Sequence, residues 1–123
     1  MRKLASSSDI LGNIHIMTLF AQRRFTEANP KLMAAFIAAL DEANAIIAED
    51  KARAAQIYVK ASKVKVSEAE MVAMISDKDM SFGATPRGFM NIASFMHKAG
   101  SIKNKPTDWK ELFVAAMHGR PGS

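Results

Sequence analysis

Apolar residues in the stretch "PKLMAAFIAALDEANAIIAED" recur at spacings of three and four, so that Leu32, Phe36, Leu40, Ala43 and Ile47 form one stripe. That period predicts an amphipathic helix. Its start is marked by Asn29 and Pro30: an asparagine side chain can accept from the first free N–H groups, and proline needs no N–H at the first helical position. Asp50 is placed to cap a second helix, "KARAAQIYVKAS", in which Ala54, Ile57, Tyr58 and Ala61 share a face. Ser67 and Glu70 stand at capping-box spacing ahead of "SEAEMVAMI", which turns Met71, Met74 and Ile75 inward. Gly83 and the Thr85–Pro86 pair then break the period, because a residue before proline avoids the helical basin. A fourth helix is expected to start at Pro86, with Phe89, Ile92, Ala93 and Met96 on its stripe and Gly100 as a left-handed cap. The fifth is "TDWKELF", with Thr107 or Asp108 at its N-cap and Trp109, Leu112 and Phe113 facing in.

The first part of the chain follows another rule. In "ILGNIHIMTLFAQRRF", Ile14 and Ile16 stand at period two, and Met17, Leu19 and Phe20 form a denser run. This predicts a short strand passing into a helical turn. The expected class is therefore mainly α, with about five amphipathic helices and one or two short strands. Leu32, Phe36, Leu40, Ile57, Phe89, Ile92, Trp109 and Phe113 are the expected core.

Composition narrows the classes of function. The chain has 123 residues, 49% of them hydrophobic and 24% charged, which suits one folded domain and not a disordered chain. The formal charge of +5 is spread along the sequence without a basic stripe, so nucleic acid is not an expected partner. With no cysteine there is no disulfide framework and no thiol chemistry. Behind Arg2 and Lys3, polar Ser6, Ser7, Ser8 and Asp9 stand where a signal peptide needs apolar residues, so no export signal is expected. His15, His97 and His118 lie far apart, outside any metal-binding spacing. Asp41 and Glu42 are adjacent, and Glu68 and Glu70 are two apart, so neither pair shares a helix face. There is no glycine-rich phosphate loop. The nine methionines read as core filling. No catalytic, metal or cofactor site is expected, and the protein is not expected to be an enzyme.

The order of the segments carries a likeness. F-x-x-x-N-P at Phe25–Pro30 and A-F-x-x-A-L-D-E-A at Ala35–Ala43 are followed by T-P-x-G at Thr85–Gly88 and F-M-x-x-x-G-x-I-K at Phe95–Lys103. P-x-x-W-K-x-L-F at Pro106–Phe113 and the closing H-G-x-P-G-S at His118–Ser123 complete the set. Together they resemble the C-terminal portion of periplasmic substrate-binding proteins of ABC transporters, of the nitrate, sulfonate and taurine type that includes thiamine-precursor binders. The resemblance spans nearly the whole chain. It implies part of a two-lobed α/β receptor, with residues 1–28 a crossover strand and turn and residues 29–123 a helical part of one partial domain. In the family the partners are a small anionic or polar organic solute and the transporter permease, and the compartment is the periplasm. Without an export signal, this chain is expected in the cytoplasm.

The resemblance also gives the candidate ligand contacts. Asn13, His15 and Thr18 fall where the returning chain passes the cleft mouth, and Thr85 lies in the "SFGATP" loop. Asn13 departs from the Gly-Gly form associated with that position. The tail reads as the receptor's C-terminus, with the tryptophan helix packed on the first lobe. The strands supplying most of the family's ligand contacts lie outside this sequence, so weak or no solute binding is expected. Helix stripes without a sheet to cover need a partner, which makes a homodimer or a helical protein–protein interaction module the other reading.

Overall fold

A computed structural model describes residues 4–5, 9–10 and 12–123. The N-terminal signal-like residues Arg2 and Lys3, the serines Ser6, Ser7 and Ser8, and Leu11 of the "DILG" motif lie outside the described residues. Five helices follow the extended N-terminal stretch: α1 (Arg23–Ala28), α2 (Pro30–Glu49), α3 (Lys51–Ser62), α4 (Glu68–Ile75) and α5 (Phe89–Lys98). Two single-turn 3₁₀ helices, Trp109–Leu112 and Ala115–Met117, come last. The mainly α class holds. Among the described residues there is no strand, which corrects the expected crossover strand at Ile14 and Ile16. A strand needs a ladder, and the extended stretch makes one backbone bond of this kind, from His15 N–H to the Arg87 carbonyl at 3.1 Å.

The helix boundaries have local causes. Asp50 accepts from the Arg53 N–H at 2.9 Å and starts α3, which ends on Lys63 in the left-handed region. Ser67 and Glu70 close a reciprocal capping box at α4. Helix α5 ends in a Schellman motif, with Gly100 N–H donating to the His97 carbonyl and Ser101 N–H to that of Met96. Gly100 has a φ of 75°, as that motif requires.

Other boundaries differ from expectation. Asn29 turns its amide back to donate to the Phe25 carbonyl at 2.8 Å, closing α1, while its own carbonyl accepts from Met33 N–H. Helix α5 begins at Phe89 and not at Pro86, because Gly88 adopts a positive φ of 75° just before it. The "TDWKELF" segment forms a single 3₁₀ turn, capped by Asp108. The unexpected helix is α1, which buries no residue.

The chain divides into two compact units. One comprises Ala34–Ala84, holding most of α2 with α3 and α4. Its only closely packed helix pair is α3 with α4, where Ala55 and Met71 are buried. Small Ala55 lets the neighbouring helix approach, so the packed face of α3 is not the larger-residue stripe that includes Ile57 and Tyr58. Both of those are half exposed.

The other unit comprises Met1–Met33 and Thr85–Ser123. Pro86, Gly88, Ala93, Trp109 and Met117 are buried there. Phe113 meets Phe89 edge-on with ring centres 4.8 Å apart, and Trp109 at 5.8 Å.

The expected core needs correction at three positions. Trp109 is 7% exposed, but Leu32, Phe36 and Ile57 are 54%, 46% and 50% exposed. Leu40, Phe89, Ile92 and Phe113 are half-buried. Periodicity identifies a stripe but not its cover, and α2 runs for 20 residues without burying one.

Candidate functional site

Two of the four residues proposed for ligand contact, His15 and Thr85, fall at a junction formed by Thr85–Phe89. Proline at 86 restricts Thr85 to extended backbone and is itself fully buried. Gly88 then turns the chain into α5 with a conformation that side chains avoid. Space enforces the same choice, since a Cβ on Gly88 would lie 2.3 Å from Cγ2 of Ile14. Ile14 thus seats the N-terminal stretch against the junction, and the adjacent His15 N–H donates to the Arg87 carbonyl.

His15 is half-buried. Desolvation, and secondarily the Arg87 guanidinium, hold its imidazole below the usual histidine value. It is therefore neutral at pH 7 and offers one ring donor and one ring acceptor. Asn13 is exposed at a bend two residues earlier, and Thr85 is half-buried. The structure brings His15 and the Thr85–Gly88 turn together. Thr18 is exposed in the irregular stretch beyond.

Two further parts of the junction were not legible as such. Arg87, between the proline and glycine of the T-P-x-G motif, supplies the positive charge. The chain's last residue supplies the closure: Ser123 N–H donates to the Pro86 carbonyl at 3.1 Å, and the Ser123 carbonyl accepts from Phe89 N–H at 2.9 Å. Its hydroxyl oxygen accepts from Gly88 N–H at 3.1 Å. A Cβ on Gly122 would lie 2.5 to 2.7 Å from indole atoms of Trp109. Only a glycine fits between the tail and that ring.

A second group adjoins Trp109. His118 places Nε2 2.9 Å from both the Lys110 and the Phe113 carbonyls. Two acceptors require the proton on Nε2. Its ring meets Trp109 edge-on at 6.1 Å. At the start of this turn, Glu111 accepts from the Thr107 hydroxyl and from the Thr107 and Asp108 N–H groups. Those bonds, the hydroxyl's foremost, hold the Glu111 carboxyl below its usual value.

In the Ala34–Ala84 unit an open groove of about 280 Å³ is lined by Ile47, Ala48, Lys51, Ile75, Met80 and Phe82. Lys51 is its one charged residue, and no acid or nucleophile stands beside it in the lining. Among the described residues, no group of three His, Cys, Asp or Glu side chains is placed to hold a metal ion. No described helix is long and apolar enough to cross a membrane.

A guanidinium and a neutral imidazole can meet an anionic or polar group. Comparison with protein-family models, curated proteins and solved structures gave no match to this chain.

Proposed function

We propose that the chain is part of a solute-binding component of an ABC transporter, of the nitrate, sulfonate and taurine type, with weak or no ligand binding on its own. The observation that carries the reading is the meeting of two motifs of the resemblance. Ser123, which ends H-G-x-P-G-S, lies more than thirty residues beyond T-P-x-G in the sequence, yet it bonds to Pro86, Gly88 and Phe89. An ordered set of motifs has a physical reason to persist when its members pack on one another. The half-exposed stripe of α2 gives further support, since a helix of a layered α/β receptor keeps an apolar face for a sheet.

On this reading the solute is a small anion, met by Arg87 and His15 with Asn13 and Thr85 at the edge. Binding sites of high affinity bury 70–90% of their ligand's surface. Two short stretches of chain supply less than that. Affinity should be about 1 mM or weaker, equivalent to roughly 4 kcal/mol.

An NMR titration with taurine, short alkanesulfonates and nitrate tests this. Saturable shifts at the amides of His15, Thr85 and Arg87, with millimolar dissociation constants, are expected. Micromolar stoichiometric binding, or shifts only at other residues, would overturn the reading.

A further inference from the structure

Two consecutive helices carry the same pattern with opposite charge. Helix α2 places Glu42, Ile46 and Glu49 at spacings of four and three, and α3 places Arg53, Ile57 and Lys60 at the same spacings. Four and three residues return to one helix face, so each triplet is an isoleucine between two like charges. The outer members are seven residues apart in both, which at the helical rise is about 10.5 Å. A carboxylate pair and a cation pair of equal separation can therefore meet end for end.

Both triplets are available. All four charged residues are exposed, Ile46 is half-buried and Ile57 is half exposed. Beside Glu42 on α2 lies exposed Ala39, three residues back, and beside Ile57 on α3 lies exposed Ala61, four residues on. Among the described residues, no ion pair engages Glu42, Glu49, Arg53 or Lys60.

The triplets of one chain cannot pair with each other. Only Asp50 separates α2 from α3, and an antiparallel helix pair needs a loop of about two to five residues. Accordingly α2 and α3 do not pack along their lengths. A second copy meets no such restriction. In a two-fold contact the α2 of each copy lies on the α3 of the other, and both contacts are then attractive. The alternative pairings, α2 on α2 or α3 on α3, set like charges together and are disfavoured.

We infer that the chain self-associates as a two-fold homodimer, with the Glu42–Ile46–Glu49 face of each copy seated on the Arg53–Ile57–Lys60 face of the other. The partner is a second copy because each chain carries both halves of the match. This inference does not depend on the transport reading.

Two charge-reversed variants of the full chain test it, with sedimentation equilibrium from low micromolar to near-millimolar concentration as the readout. Wild type is expected to pass from monomer to dimer over that range. E42K/E49K makes both faces positive and R53E/K60E makes both negative, so each alone should lose about tenfold or more in dimer affinity. An equimolar mixture of the two should form a heterodimer with affinity near that of wild type. All four positions are exposed, and circular dichroism of each variant reports that the helices remain.

Three outcomes overturn the inference: a wild-type chain that stays monomeric throughout, variants that dimerise as well as wild type, or a helical mixture that does not associate. A helical protein partner of another kind would give the first of these.

Discussion

Replacing Gly122 by alanine tests whether the tail is part of the fold. The added Cβ would stand 2.5 Å from Cε2 and 2.6 Å from Cδ2 of Trp109, a buried ring that cannot swing aside as the end of a flexible chain could. One of two things must give. If the indole shifts, the cost is that of overpacking, about 1–3 kcal/mol. If the tail lifts instead, Ser123 loses its bonds to Pro86, Gly88 and Phe89, each worth about 0.5–1.5 kcal/mol net. Either route costs about 1–3 kcal/mol. Trp109 is the only tryptophan, so its fluorescence reports both urea unfolding and local release, which would shift emission to the red. Gly119→Ala is the control: it has open space around its Cβ, and the change should be neutral or stabilise by about 0.4–1 kcal/mol. Equal stabilities and unchanged emission for Gly122→Ala and wild type would refute the close seating of the tail on the indole.

Phe36→Ala should cost about 1 kcal/mol or less in dilute solution, because the ring is 46% exposed and full burial of such a side chain is worth about 1.5–3 kcal/mol; a loss of about 3–5 kcal/mol in thermal or urea unfolding would place it in a closed core. Ser67→Ala removes the hydroxyl half of the capping box at α4 and leaves the bond from the backbone N–H of residue 67 to the Glu70 carboxylate; it should cost about 1 kcal/mol at neutral pH. The Ser67 bonds hold the Glu70 carboxyl below its ordinary value, so that stabilisation is present above the unfolded value and lost as pH falls through the folded one. A penalty unchanged at pH 3 would count against it. His15 titrates below its ordinary value of 6.5 in the fold, so between these values the unfolded chain binds more protons and stability rises with pH. Melting temperatures of wild type should therefore fall between pH 7.5 and 5.5, and those of His15→Gln should fall less; identical pH slopes would remove His15 as the cause.

Local chemistry made much of the structure legible. Asp50 before "KARAAQ" and Ser67 with Glu70 each act within three residues, and both caps form as their spacing requires. Gly100 ends α5 for the same kind of reason, since a left-handed position costs glycine nothing. Ambiguity began where neighbours compete. Asn29 could cap the helix after it or close the one before, and the free carbonyl of Phe25 took its amide.

Of the residues proposed from the resemblance, His15 and Thr85 come near each other in the structure, and nothing in the sequence shows what joins them. Arg87 was readable as a charge in the T-P-x-G motif. Its effect on His15 needs the Ile14–Gly88 contact, which spans more than seventy residues and leaves no local trace. The tail posed the same difficulty: Gly122 looks like loose punctuation until the Trp109 ring is placed over it.

Burial marks the boundary between the two kinds of knowledge. Repeats of three and four determine which residues of a helix share a face, because backbone geometry alone sets that period. Whether the face is covered depends on where the chain turns next. Between α2 and α3 a single residue forbids doubling back, so Phe36 and Ile57 remain half exposed, while small Ala55 is buried in one unit and Trp109 and Met117 in the other.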